Sequence, residues 1–211
     1  MVQAFYDISR TISPRSGTWP GDVTLSVSQT FAQHRGDMVN VGCLQMSIHT
    51  GTHIDAPFHF DSDGEKSDQL DLAAFWGMAQ VVTVEREPGP LEVQDLAEVN
   101  LTLPPRLLLH TPTSRMSDET FPSECVYPSV GLVETLARAG IILLGTDAPS
   151  VDALSDRNLP GHAALYRHGI SILEGLNLSG VLDGLYELSA LPLKLEMGDG
   201  SPVRAVLRTR G

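Results

Sequence analysis

Apolar residues recur along this chain with two different periods, and the alternation between them predicts a mixture of strands and helices. Leu44, Met46 and Ile48 alternate with Gln45, Ser47 and His49, a period-two pattern that predicts a half-buried strand running directly into a histidine-rich segment. Residues 79–85 and 105–111 are rich in Val or Leu and bounded by polar, Pro or Gly residues, which predicts two further strands. A helix is predicted from Ser129 as N-cap, with Leu132, Val133, Leu136 and Ala137 on one side and Gly140 as its stop. Residues 141–144, Ile-Ile-Leu-Leu, follow at once and predict a strand buried on both faces that ends at Gly145-Thr146-Asp147-Ala148-Pro149. Near the C-terminus, residues 186–196 and 202–209 flank Gly198-Asp199-Gly200, which reads as a hairpin closing the sheet.

No internal repeat or low-complexity stretch interrupts this pattern, so residues 1–211 are expected to form a single α/β domain. At 42% hydrophobic content, 211 residues can bury one sizeable core. The formal net charge of −12 argues against nucleic acid and anionic membrane surfaces, which need Lys and Arg clusters. With no basic start followed by an apolar run and no span long enough for a bilayer, a cytoplasmic location is expected. Cys43 and Cys125 are too few for a disulfide framework or a four-cysteine zinc site and are read as reduced, non-catalytic thiols.

Candidate chemistry concentrates in His49-Thr50-Gly51-Thr52-His53-Ile54-Asp55-Ala56-Pro57-Phe58-His59. Three histidines and an aspartate threaded through Gly and Pro do not build a core economically, whereas imidazole nitrogen and carboxylate oxygen are ordinary ligands of zinc. On an extended strand His49 and His53 would stand about 13 Å apart, so the chain must turn at Thr50-Gly51-Thr52 for them to share an ion. Pro57 opposes a long helix through the segment, which argues against the helical zincin arrangement and for a strand, tight turn and loop. Asp55 can offer one oxygen to each of two ions, as bridging carboxylates do. Downstream, His162 and Glu174 would lie about 18 Å apart on one continuous helix. Gly169 predicts the escape, ending a helix over residues 160–168 so that 170–174 return as a strand.

Taken alone, His162 could cap a helix and Glu174 could join a salt bridge, and Trp19 could simply pack in the core. His34, His110 and His168 have no such context and are set aside as solvated or satisfied groups. Asp61-Ser62-Asp63-Gly64 starts like a calcium loop but lacks the later acidic positions, so it is read as a turn. Serine-hydrolase elbows, phosphate loops and dinucleotide fingerprints are missing from the sequence.

Several stretches together resemble the cyclase-like metal-dependent hydrolases, and within them the bacterial kynurenine formamidase (arylformamidase) branch. They are Asp7-Ile8-Ser9, Thr18-Trp19-Pro20-Gly21-Asp22, residues 47–60, Asp147-Ala148-Pro149-Ser150-Val151-Asp152, His162 with Glu174, and residues 190–206. The resemblance implies a swivelling β/β/α fold, usually dimeric. It implies two divalent ions, zinc above all, with His49, His53 and Asp55 on the first, Asp55, His162 and Glu174 on the second, and Glu174 also touching the first. His59 is implied as the acid/base and Trp19 as a substrate contact, in the hydrolysis of N-formylkynurenine to kynurenine and formate during tryptophan breakdown. One departure is Ala163, where relatives often carry a second His after the first. Two alternatives stay open at this point: another cyclase-like activity such as isatin hydrolysis, or a metal-binding protein without turnover.

Overall fold

The computed structural model describes residues 3–101 and 104–209. Nine strands form its main sheet. In spatial order they are Phe5–Asp7, Val206–Arg208, Gly184–Ser189, Trp76–Thr83, Arg106–His110, Leu143–Thr146, Ser171–Glu174, His53–Asp55 and Gly200–Pro202. The four central strands, from Trp76–Thr83 to Ser171–Glu174, run parallel, and the outer ones pair antiparallel.

Side-chain alternation along the central strands sorts the core onto two faces. Leu107, Leu109, Leu144 and Ile172 pack with Leu132 and Leu136 of helix α1 (Val130–Arg138) and with Leu165 of helix α2 (Pro160–Arg167). Their neighbours Leu108, Leu143 and Leu173 point the other way and join Ile8, Ile54 and Leu207. Ile8 follows the first edge strand and Ile54 lies next to the opposite edge, so one cluster holds both only because the sheet curls on itself. Helices therefore cover the other face alone, which is the β/β/α layering the resemblance implies.

Both helices form where the pattern predicts. Ser129 Oγ accepts the Leu132 backbone N–H at 3.2 Å, a cap that contributes about 1 kcal/mol. Helix α2 begins at Pro160 and ends before Gly169, after which residues Ser171–Glu174 return as a strand, as the spacing between His162 and Glu174 requires.

Three predicted elements are corrected. The strand expected to run into the histidine segment is Val41–Gln45 instead, and the chain turns at residues 48–50. It is exposed along its whole length and pairs only with Ser26–Phe31, in a two-stranded ribbon apart from the main sheet. The alternation there reflects the pairing register, which sets Leu44 opposite Val27, rather than burial within the chain. The strand foreseen over 141–144 is Leu143–Thr146, with Ile142 partly exposed. Gly198-Asp199-Gly200 is no hairpin: Gly184–Ser189 does pair with Val206–Arg208, but Gly200–Pro202 crosses to the far edge and pairs with His53–Asp55. That crossover carries Asp199 against the histidine loop.

Cys43 is exposed and Cys125 buried, both as free thiols, and burial followed by the charges of Glu174, Asp147 and Asp152 pushes the Cys125 thiol up to about 12. Among the described residues no helix is long and apolar enough to cross a membrane.

Candidate metal centre

The histidine segment is bent as its chemistry demands. Gly51 takes φ +71°, a left-handed conformation that glycine adopts without penalty, and the chain then enters the short strand His53–Asp55. Glu174 sits directly opposite His53 in the adjacent antiparallel strand, so strand register alone brings the two distant segments together. Alternation sends Ile54 into the core and leaves His53 and Asp55 on the helix side. Helix α2 brings His162 to that same side.

Five side chains thereby converge. Asp55 Oδ1 lies 3.0 Å from His49 Nδ1 and 3.4 Å from His53 Nε2, while Asp55 Oδ2 lies 3.2 Å from His162 Nε2. Glu174 spans the cluster, with Oε2 3.4 Å from His53 Nε2 and Oε1 3.7 Å from His162 Nε2. His53, Asp55, His162 and Glu174 are all at most 5% exposed.

In each of the three inner histidines one ring nitrogen is tied outward while the other faces the cluster. His162 Nδ1 is 2.7 Å from Asp152 Oδ2, His53 Nδ1 donates to the Gly51 carbonyl at 3.0 Å, and His49 Nε2 is 3.1 Å from Asp199 Oδ2. Metal-ligating histidines are oriented in this way, since an outer carboxylate or carbonyl fixes the tautomer and aims the remaining lone pair at the ion. Asp152 also accepts the backbone N–H groups of Gly161 and His162, so it caps the helix and orients its histidine at once.

The electrostatics fit a cation. Burial disfavours charge on His49, yet hydrogen bonds to Asp199 and Asp55 outweigh it and raise the ring to about 9. Burial is likewise overcome at His53 by Asp55 and Glu174, and at His162 by Asp152 and Asp55, raising each to about 10. Asp55, although buried, is held well below the usual carboxylate range by His162, His49 and His53. Protons on imidazole here balance a concentration of buried carboxylate charge, a task that divalent ions on the same donors would take over. The donor set of nitrogen and oxygen matches zinc.

His59 stands at the rim, at the end of the 3-10 turn Pro57–His59. Its ring lies over His49, with centroids 4.1 Å apart, and its Nδ1 is 3.6 Å from Asp199 Oδ2. A cavity of about 340 Å³ opens above the cluster, and Trp19, Phe121, Met116, Pro149 and Leu159 supply its apolar wall. Trp19 is 44% exposed and meets Phe121 edge-on at 5.4 Å, so it lines the cavity instead of packing in the core. His34, His110 and His168 lie outside this cavity. Sequence reasoning gave no role to Asp152 and Asp199. The available signals were an acid ten residues before His162 and an acid between two glycines.

The fold is shared along the whole chain with a solved structure described as a potential metal-dependent hydrolase with cyclase activity, at a TM-score of 0.86, 25% identity and full coverage of both chains. Isatin hydrolase A from Labrenzia aggregata superposes with a TM-score of 0.83 at 24% identity, covering 98% of this chain and 94% of its own. The architecture is therefore that of the cyclase-like metal hydrolases. Residues 6–153 match the Cyclase family, and the chain belongs to it. The kynurenine formamidase of Bacillus cytotoxicus is 44% identical over 202 residues, 96% of each chain.

Proposed function

We propose that this chain hydrolyses N-formylkynurenine to kynurenine and formate at a two-ion centre. The observation that carries the reading is Asp55, whose two oxygens face different partners: Oδ1 meets His49 and His53, and Oδ2 meets His162. On this reading His49, His53 and Asp55 would hold a first zinc and Asp55, His162 and Glu174 a second, Glu174 facing both His53 and His162. The name and 44% identity of the full-length relative support the substrate.

Bound there, the ions supply Lewis acidity toward a carbonyl oxygen and acidify water at neutral pH. The protein does the rest. Trp19 and Phe121 give an aromatic wall against which an aryl formamide can lie with its carbonyl toward the cluster. His59, at the rim of the cavity and beside the inner cluster, carries a proton to the aniline nitrogen as the C–N bond breaks. The amino-acid end of the substrate has no net charge, so the acidic surface does not repel it. An open cavity and a rim histidine beyond the inner donors favour turnover over a closed structural site.

The reading includes a homodimer. Strands Ser26–Phe31 and Val41–Gln45 contain no charged residue, and their exposed Val27, Phe31 and Leu44 are the kind of edge that soluble proteins cover. Light scattering should give twice the chain mass, and a Leu44→Glu variant should shift it to monomer; a monomeric parent would refute this part. Cytoplasmic conditions suit the two free thiols.

The purified protein should release formate from N-formylkynurenine, lose that activity to a chelator and regain it with zinc. Preferential ring opening of isatin would instead assign the site to that substrate, and chelator-insensitive turnover would refute the metal centre.

A further inference from the structure

We propose that Asp199 is a positioning residue that clamps His59 against His49 and so fixes the proton carrier relative to the metal ligands. The inference rests on the reading of His59 given above. One oxygen, Asp199 Oδ2, lies 3.1 Å from His49 Nε2 and 3.6 Å from His59 Nδ1, at the edge of two rings whose centroids are 4.1 Å apart. A single carboxylate thus faces both imidazoles, and His59 Nδ1 turned toward it leaves Nε2 for the cavity.

The backbone is built to hold that oxygen in place. The Asp199 carbonyl accepts the Ala56 N–H at 3.0 Å, and the Gly198 carbonyl accepts the Ser67 N–H at 2.9 Å. Gly200 pairs with Asp55 itself. A Cβ at Gly200 would stand 2.6 Å from the Ile54 carbonyl oxygen and 3.0 Å from His49 Cε1, and one at Gly198 would stand 2.4 Å from Ser67 Oγ. The backbone clash at Gly200 is the one that glycine avoids, letting the strand crossover press this close to the histidine loop. His59 has a looser seat, with a side chain 33% exposed at the end of a single 3-10 turn. A fixed carboxylate beside a partly exposed ring is the arrangement by which an acid selects the tautomer and orientation of a catalytic histidine.

The test compares Asp199→Asn, His59→Ala and the double variant in zinc-loaded protein, with metal content measured throughout. Asp199→Asn should lower kcat about 10- to 100-fold, with KM changed less than about twofold and both ions retained. In the His59→Ala background the same substitution should cost less than about threefold, because the group it positions is gone. Long-range ¹H–¹⁵N spectra of the imidazoles should show the His59 resonances, assigned by their loss in His59→Ala, moved or broadened in Asp199→Asn. Unchanged His59 resonances would overturn the proposal, as would an equal loss of activity in both backgrounds, which would place the effect on His49. If the parent released no formate, the proposed substrate would fail, and the spectra would still decide the role of Asp199.

Discussion

Replacing His59 with alanine should lower kcat for formate release by about 10²- to 10⁴-fold, the range a general acid/base contributes, while metal content stays at the parent level. The division of labour follows from anchoring. His49, His53 and His162 each have one nitrogen tied outward and one aimed at the cluster, and His53 and His162 are buried. His59 sits at the rim and its Nδ1 faces Asp199, which leaves it free to exchange protons with a molecule in the cavity. The alternative is concrete, because a ring nitrogen of His59 lies within 4.8 Å of donor atoms from both His49 and Asp55. Metal analysis separates the two roles: loss of an ion in His59→Ala would make His59 a ligand. Global stability should change little, since the side chain is one-third exposed.

Asp55→Asn should remove metal and activity together, with a loss of turnover larger than the roughly 10- to 100-fold that partners behind the ligands command. An asparagine has the same shape but no charge, and its amide nitrogen cannot serve as a ligand. Asp55 faces His49, His53 and His162 from a position only 5% exposed. Its replacement therefore also leaves imidazolium groups without their counter-charge in the metal-free protein, and breaking a buried pair costs about 3–5 kcal/mol. Calorimetry should accordingly show a lower Tm even without metal, and added zinc should no longer raise it. In the parent, an ion at a hundredfold excess over its Kd adds about 2.7 kcal/mol. A folded Asp55→Asn protein that kept two ions and turnover within tenfold of the parent would refute the shared-carboxylate centre.

The helices, the central strands and the histidine-rich run were legible in the sequence because each rests on a local signal, whereas His162 and Glu174 took their role as ligands only from the resemblance. Ser129 and Gly140 bracket α1 through capping chemistry, and Gly169 separates helix from strand wherever those residues occur. The run from His49 to His59 was readable for a similar reason: its composition is costly for a core and suited to a metal, and Gly51 with Pro57 dictates how it bends. The exposed ribbon was misread because alternation reports a two-sided strand without saying what covers either side.

What the sequence by itself determined is the histidine-rich run of the candidate site and the bend within it. That Glu174 faces His53, that Asp152 stands behind His162, and that Asp199 crosses from the far end of the chain to His49 and His59 were decided by the tertiary structure alone. The reason is range. Capping, turn geometry and periodicity act over a few residues, whereas these contacts join positions up to 150 apart and follow from strand register in a curled sheet.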